Sequence, residues 1–173
     1  MTTARDRILE AAEELIADGK VPPSLDAVAA RAGVSKGGLL YHFGKHSLLE
    51  ALVERAIEEA DGQLQRAAAE GRMAAEWLSI SVPGAEQLRV FRGLSTMLKL
   101  TSAGEVAPSD QVQAAVQRWQ QMLEQELGDP VRASLVRLVG DGLLLNALFG
   151  RPPTSAEVDA LAARLGVTGP ARG

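Results

Sequence analysis

A chain of 173 residues that is 46% hydrophobic but only 3% aromatic is long enough for a sizeable core, which has to be aliphatic. That bias favours helix packing over sheets, and the absence of cysteine excludes a disulfide framework and a thiolate metal site. The formal net charge of −4 argues against a protein that coats nucleic acid generally.

Helices are predicted throughout. In ARDRILEAAEELIADG, Ile8, Ala12, Leu15 and Ile16 recur at helical spacing until Gly19. The mixture of charges in this segment is unlike a signal peptide, so a cytoplasmic chain is expected. KVPPS is a connection, held extended by Pro22 and Pro23. Ser24 caps LDAVAARAG, whose apolar stripe is Leu25, Val28, Ala29 and Ala32. Gly33 ends that helix and Ser35 starts the next, SKGGLLYHF, two residues later. A longer helix then runs from His46 through SLLEALVERAIEEADGQLQRAAAE, with Leu48, Leu49, Leu52, Val53, Ala56 and Ile57 inward.

Two short helices joined by so tight a turn form a helix-turn-helix, which presents its second helix to a DNA major groove. Gly37 and Gly38 stand together in the first turn of that helix, where each costs helix stability relative to alanine but lets backbone approach a base edge or phosphate closely. Between Ala27 and Leu49 there is no Asp or Glu, whereas Arg31, Lys36 and Lys45 are present. Both histidines, His42 and His46, fall there too. Their i, i+4 spacing is one that metal ligands use, but Gly44 lies between them and no third ligand is near, so no metal or cofactor is expected. Leu39 and Phe43 read as core. Ser24 and Ser35 fit equally as plain N-caps or as phosphate donors.

These motifs carry a resemblance. Residues 5–55 are similar to the N-terminal domain of TetR-family transcriptional regulators, with AGVSKG, YHF and the following LL in the family's order and spacing. Three positions depart from it: Gly38 where threonine is frequent, Leu40 where many members carry a backbone-contacting tyrosine, and His46 in the usual place of a lysine. The resemblance implies an all-α fold of about nine helices. It implies double-stranded DNA as partner, contacted by Ser24 on the second helix, by Ser35, Lys36, Gly37, Gly38, Tyr41 and His42 on the recognition helix, and by Lys45 beyond it. Lys36, Gly38 and Tyr41 would face the groove and the others mostly phosphate. The DNA-binding domain is expected over residues 1–47, an effector and dimerisation domain over 48–167, and a tail over 168–173.

Beyond residue 60 the pattern stays helical. Trp77 lies on a short helix between Gly71 and Pro83-Gly84; AEQLRVFRGLSTMLKLTSA follows, apolar at Leu88, Phe91, Leu94, Met97 and Leu98. SDQVQAAVQRWQQMLEQELG carries Trp119 and Met122 on its apolar stripe. Asp129-Pro130 opens a helix through Phe149, and SAEVDALAARL makes the last one. No run is long and apolar enough to cross a bilayer, so no membrane contact is expected. Trp77, Phe91, Leu94, Met97, Trp119, Met122 and Phe149 lie on helices that the family arranges around a ligand cavity, which implies a small apolar or amphipathic effector; taken singly, each of these side chains reads better as core.

Beyond Leu138 the helix from 130 to 149 is apolar nearly all round and needs cover on more than one side. By resemblance, the last two helices form a homodimer interface, to which Leu138, Leu144, Leu145, Leu148, Val158 and Leu161 are assigned. The expected function is a homodimeric regulator, a repressor of a palindromic operator released by its effector. The alternative is a ligand-independent or partner-regulated DNA-binding protein of the same fold. Catalysis is not expected, because both histidines lie in the DNA motif and no nucleophile or metal cluster accompanies them.

Overall fold

The computed structural model describes residues 3–43, 45–85, 87–88, 91 and 110–167, without the side chains of 45–47, 111 and 112. The described residues form eight helices: α1 (Ala4–Ala17), α2 (Leu25–Ala32), α3 (Lys36–His42), α4 (Lys45–Ala69), α5 (Met73–Ile80), α6 (Asp110–Leu127), α7 (Pro130–Leu148) and α8 (Ser155–Arg164). No strand occurs among them. The all-α expectation holds, with eight helices among the described residues, close to the nine expected; the helix expected over AEQLRVFRGLSTMLKLTSA lies mostly outside those residues. None of the described helices is long and apolar enough to cross a membrane.

Two compact units divide the chain within α4, between Ala56 and Ile57. The first is built on α1, α2, α3 and the start of α4. Ile8, Leu9, Leu15, Ile16, Val28, Leu39, Phe43 and Leu52 form its core, almost without exposure. At about 1.5–3 kcal/mol for each large aliphatic side chain removed from water, this core dominates the unit's stability. Ion pairs link the helices at its edge. Arg31 on α2 reaches Glu14 (2.9 Å) and Asp18 (3.4 Å) on α1, and Arg55 on α4 faces Glu13 of α1 at 3.7 Å.

The second unit holds α5–α8 and the remainder of α4. Its core joins Leu64, Met73, Leu78, Leu123, Val136 and Leu143 to the two tryptophans. The start of α5 has no side-chain cap of its own at Arg72. Instead the Glu126 carboxylate on α6 accepts from the Met73 and Ala74 amides, the latter at 3.0 Å, where a negative charge suits a helix N-terminus. Asp129 caps α7 through the Val131 and Arg132 amides (2.9 and 3.2 Å). Thr154 and Glu157 form a reciprocal capping box on α8. Arg132 closes the unit by donating to the Leu165 and Gly166 carbonyls at 2.8 and 2.6 Å.

Candidate nucleic-acid interface

The turn between α2 and α3 is fixed by local chemistry. Ser24 Oγ accepts from the Ala27 amide at 3.2 Å, starting α2. Gly33 ends it at φ 66°, a left-handed conformation suited to glycine, and the Val34 amide donates back to the Ala29 carbonyl at 3.0 Å. Ser35 Oγ then accepts from the Gly38 amide at 3.0 Å and starts α3. Both serines therefore cap helices, and both remain exposed.

α3 has one buried and one open side. Leu39 is fully buried, and Phe43 just after the helix is buried beneath the Arg5 guanidinium, 5.3 Å from its ring centre. Lys36, Gly37, Leu40, Tyr41 and His42 face solvent. Tyr41 is 86% exposed, and its ring meets that of His42 edge to face at 5.2 Å. The structure thus brings Ser35, Lys36, Gly37, Gly38, Tyr41 and His42 onto one short helix, with Ser24 at the head of α2. The side chains of Lys45 and His46 lie outside the described residues. Among the described residues no cluster of three potential metal ligands occurs.

Gly37 and Gly38 are not required by the fold for backbone freedom, since neither has a positive φ. A Cβ on Gly37 would come no nearer than 4.0 Å to its neighbours, and one on Gly38 would press only on Ser35 Oγ, at 3.2 Å. Little inside the domain explains the first of these glycines.

The charge of this face is more balanced than the acid-free window 27–49 suggests. Arg31 is held by the two α1 carboxylates, and Lys36 Nζ lies 2.9 Å from Asp26 on the first turn of α2. Sequence proximity showed the cations; it could not show acids reaching them from other helices.

Residues 8–52 match the family model for bacterial regulatory proteins of the tetR family, and residues 92–166 match that for the tetracyclin repressor-like C-terminal domain. The chain belongs to the TetR family. It is a TetR-family regulator with the family's helix-turn-helix at its N-terminus. Among solved structures it is similar to SCO7518 of Streptomyces coelicolor A3(2), named as a transcriptional regulator, at 23% identity and a TM-score of 0.65 over 95% of this chain and 99% of that one. It is also similar to EbrR, a multidrug binding protein solved in complex with imidazole, at 25% identity and a TM-score of 0.51 over 98% of this chain and 97% of that one. No curated protein matches it.

In the C-terminal unit of this TetR-family chain, Trp77 and Trp119 are both buried, with ring centres 5.7 Å apart. Both indole N–H groups are used: Trp77 donates to the Arg137 carbonyl (3.2 Å), Trp119 to Asp61 (2.8 Å). Burial alone would raise the Asp61 carboxyl; hydrogen bonds from Arg118 and Trp119 override it and hold the group below its ordinary value. Asp141 shifts the other way, raised by burial against a smaller lowering by Arg137, its ion-pair partner at 2.8 Å. Met122 packs on the edge of the tryptophan cluster. Phe91, which groups with the first unit and not with the tryptophans, is half-buried, while Leu94 and Met97 lie outside the described residues.

Phe149 stands outside the tryptophan cluster, 70% exposed at the end of α7. Leu138, Leu145 and Leu161 are exposed, and Leu144, Leu148 and Val158 are half-buried. Beside them an open groove of about 630 Å³ is lined by Leu143, Asn146, Pro152, Pro153 and Leu161, with Arg151, Glu157 and Arg164 at its polar edge. Val131 and Leu135 are exposed on α7 as well; their spacing from Leu138 would have marked them from the sequence.

Proposed function

We propose that this TetR-family regulator is a repressor that binds a palindromic operator as a homodimer and is released by a small apolar or amphipathic molecule. Residues 1–47 carry the DNA-binding role and residues 48–167 the effector and dimer contacts. The observation that carries the reading is the open face of α3, where Lys36, Tyr41 and His42 surround a glycine that the domain does not itself need. Lysine, tyrosine and histidine supply phosphate and base-edge donors, while Gly37 allows the helix backbone close to the groove.

Dimerisation is supported by the solvent side of α7. Val131, Leu135, Leu138, Leu145 and Phe149 are exposed and alternate at spacings of four and three, with Gly142 filling the remaining place in the repeat. A seam of that period suits packing against a symmetry-related helix. Two recognition helices about 34–36 Å apart would then read successive major grooves. Ligand release draws support from the likeness to EbrR, which binds imidazole in its solved structure. The packed, hydrogen-bonded tryptophan pair favours a second reading, in which DNA binding is independent of a ligand.

Selection of binding sites from random duplex DNA, with Tyr41→Ala as control, tests the first part. Enrichment of one inverted repeat by the native chain alone is the expected outcome, and no enrichment would overturn the proposal. Sedimentation of a Leu138→Glu, Leu145→Glu variant tests the second. A monomer that retains its helical spectrum and loses most operator affinity is expected; an unchanged dimer would remove α7 from the interface. A compound that weakens operator binding must also shift thermal stability, by linkage. If no apolar or amphipathic class does both, the ligand-independent reading replaces this one.

A further inference from the structure

One side chain on the open face of α3 is left unused by phosphate chemistry. Leu40 follows the fully buried Leu39, yet it is 49% exposed. A single exposed leucine is ordinary on a protein surface. Here its surroundings are not, because Lys36 stands one turn before it, the exposed Tyr41 beside it, and Gly37 three residues earlier presents no side chain. The patch next to Leu40 is therefore helix backbone, with a Cβ on Gly37 meeting nothing nearer than 4.0 Å. A flat edge can reach Leu40 across that gap. Leucine cannot donate to a phosphate, so whatever it contacts on DNA must be apolar.

Resting on the DNA-binding reading above, we propose that Leu40 packs against the 5-methyl group of a thymine in the major groove and so specifies a T·A pair at one position of each half-site. Among the base edges in that groove, thymine alone presents a methyl group. A purine would set a donor or acceptor against hydrocarbon and strip its water without replacing the hydrogen bond, and cytosine, with hydrogen at C5, lacks the methyl to fill the contact. Lys36 and Tyr41 on either side keep their polar contacts in all these cases. Discrimination at this position thus rests on one methyl group.

The test uses the full chain and an operator obtained by selection. Each thymine is replaced in turn, in both half-sites, by deoxyuridine, which removes the methyl and leaves pairing and groove hydrogen bonds intact. For the native chain, one symmetric position should lose about fourfold in affinity per half-site, the value of one buried methyl, and the pair together roughly tenfold or more. In Leu40→Ala the same replacement should cost nothing. Selection repeated with Leu40→Gln, which adds a donor and an acceptor, should move the preference at that position alone from thymine towards adenine. An operator that is bound normally but indifferent to uracil, equal uracil penalties in native and Leu40→Ala chains, or an unchanged Leu40→Gln preference would each overturn the assignment of Leu40 while leaving DNA binding in place. Failure of the native chain to enrich any operator would overturn both.

Discussion

Gly37 on α3 and Gly140 on α7 are both helical glycines, and they answer to opposite partners. A Cβ on Gly140 would meet the Trp77 indole, including its Nε1, and Ser81 Oγ at 2.7 Å. The glycine is what lets Trp77 lie against α7 and donate to the Arg137 carbonyl. A Cβ on Gly37 would meet open space out to 4.0 Å. The C-terminal unit thus needs its glycine for its own interior, whereas the interior of the N-terminal unit makes no such demand at Gly37, which the proposed DNA contact would explain. Two identical residues in like secondary structure thus differ in whether packing requires them, and only the geometry distinguishes them.

Substitutions can break that contrast. Gly140→Val should have the largest effect, destabilising the chain by about 2–3 kcal/mol through overpacking; denaturant unfolding measures it, and a loss below 0.5 kcal/mol would mean that Trp77 is free to move aside. Asp61→Asn should cost about 1.5–2 kcal/mol at neutral pH, because Arg118 and Trp119 lose a charged acceptor. The folded carboxyl is depressed below its ordinary 3.8, so its contribution is present above that value and is lost as pH falls through the folded pKa. Native and Asp61→Asn stabilities should therefore converge in acid, and a gap that stays constant with pH would refute the assignment. Gly37→Ala should move stability the other way, up by about 0.5 kcal/mol from helix propensity, while operator affinity drops roughly tenfold. A gain in stability without loss of affinity would sever Gly37 from recognition. Tyr41→Ala should leave stability within about 0.5 kcal/mol, since its side chain stands in solvent, and still weaken the operator complex.

Much of the N-terminal unit was legible because its signals are local. Ser24 and Ser35 as caps, Gly33 as a left-handed terminator, and the inward set Val28, Leu39 and Phe43 all follow from spacing within a few residues. What could not be read were the distant partners. Nothing near Arg31 or Lys36 in the chain announces Glu14, Asp18 or Asp26 across the interhelix gaps, and Glu126 caps α5 from more than fifty residues away. The orientation of α7 is illegible for another reason: apolar side chains all round a helix leave no phase, so nothing in the sequence separates the exposed Phe149 from a pocket-lining or core position. The Thr154–Glu157 capping box is a local signal that the reading of SAEVDALAARL as the last helix misses, one residue short of the cap.

The ion pair between Lys36 and Asp26 has a consequence for thermodynamics at the DNA surface. Each cation that neutralises a phosphate releases condensed counterions, which makes affinity fall with salt at a slope of about 0.9 per contact on a logarithmic scale. Lys36 already has a carboxylate at 2.9 Å, and both groups are exposed. A phosphate arriving there exchanges one anionic partner for another and leaves Asp26 to gather its own cation from solution. The operator complex should therefore be less sensitive to ionic strength than its number of cations implies, and Asp26→Asn should steepen the slope by close to one contact. If Lys36 meets phosphate as proposed, a carboxylate on α2 would set how strongly the regulator responds to the salt around it.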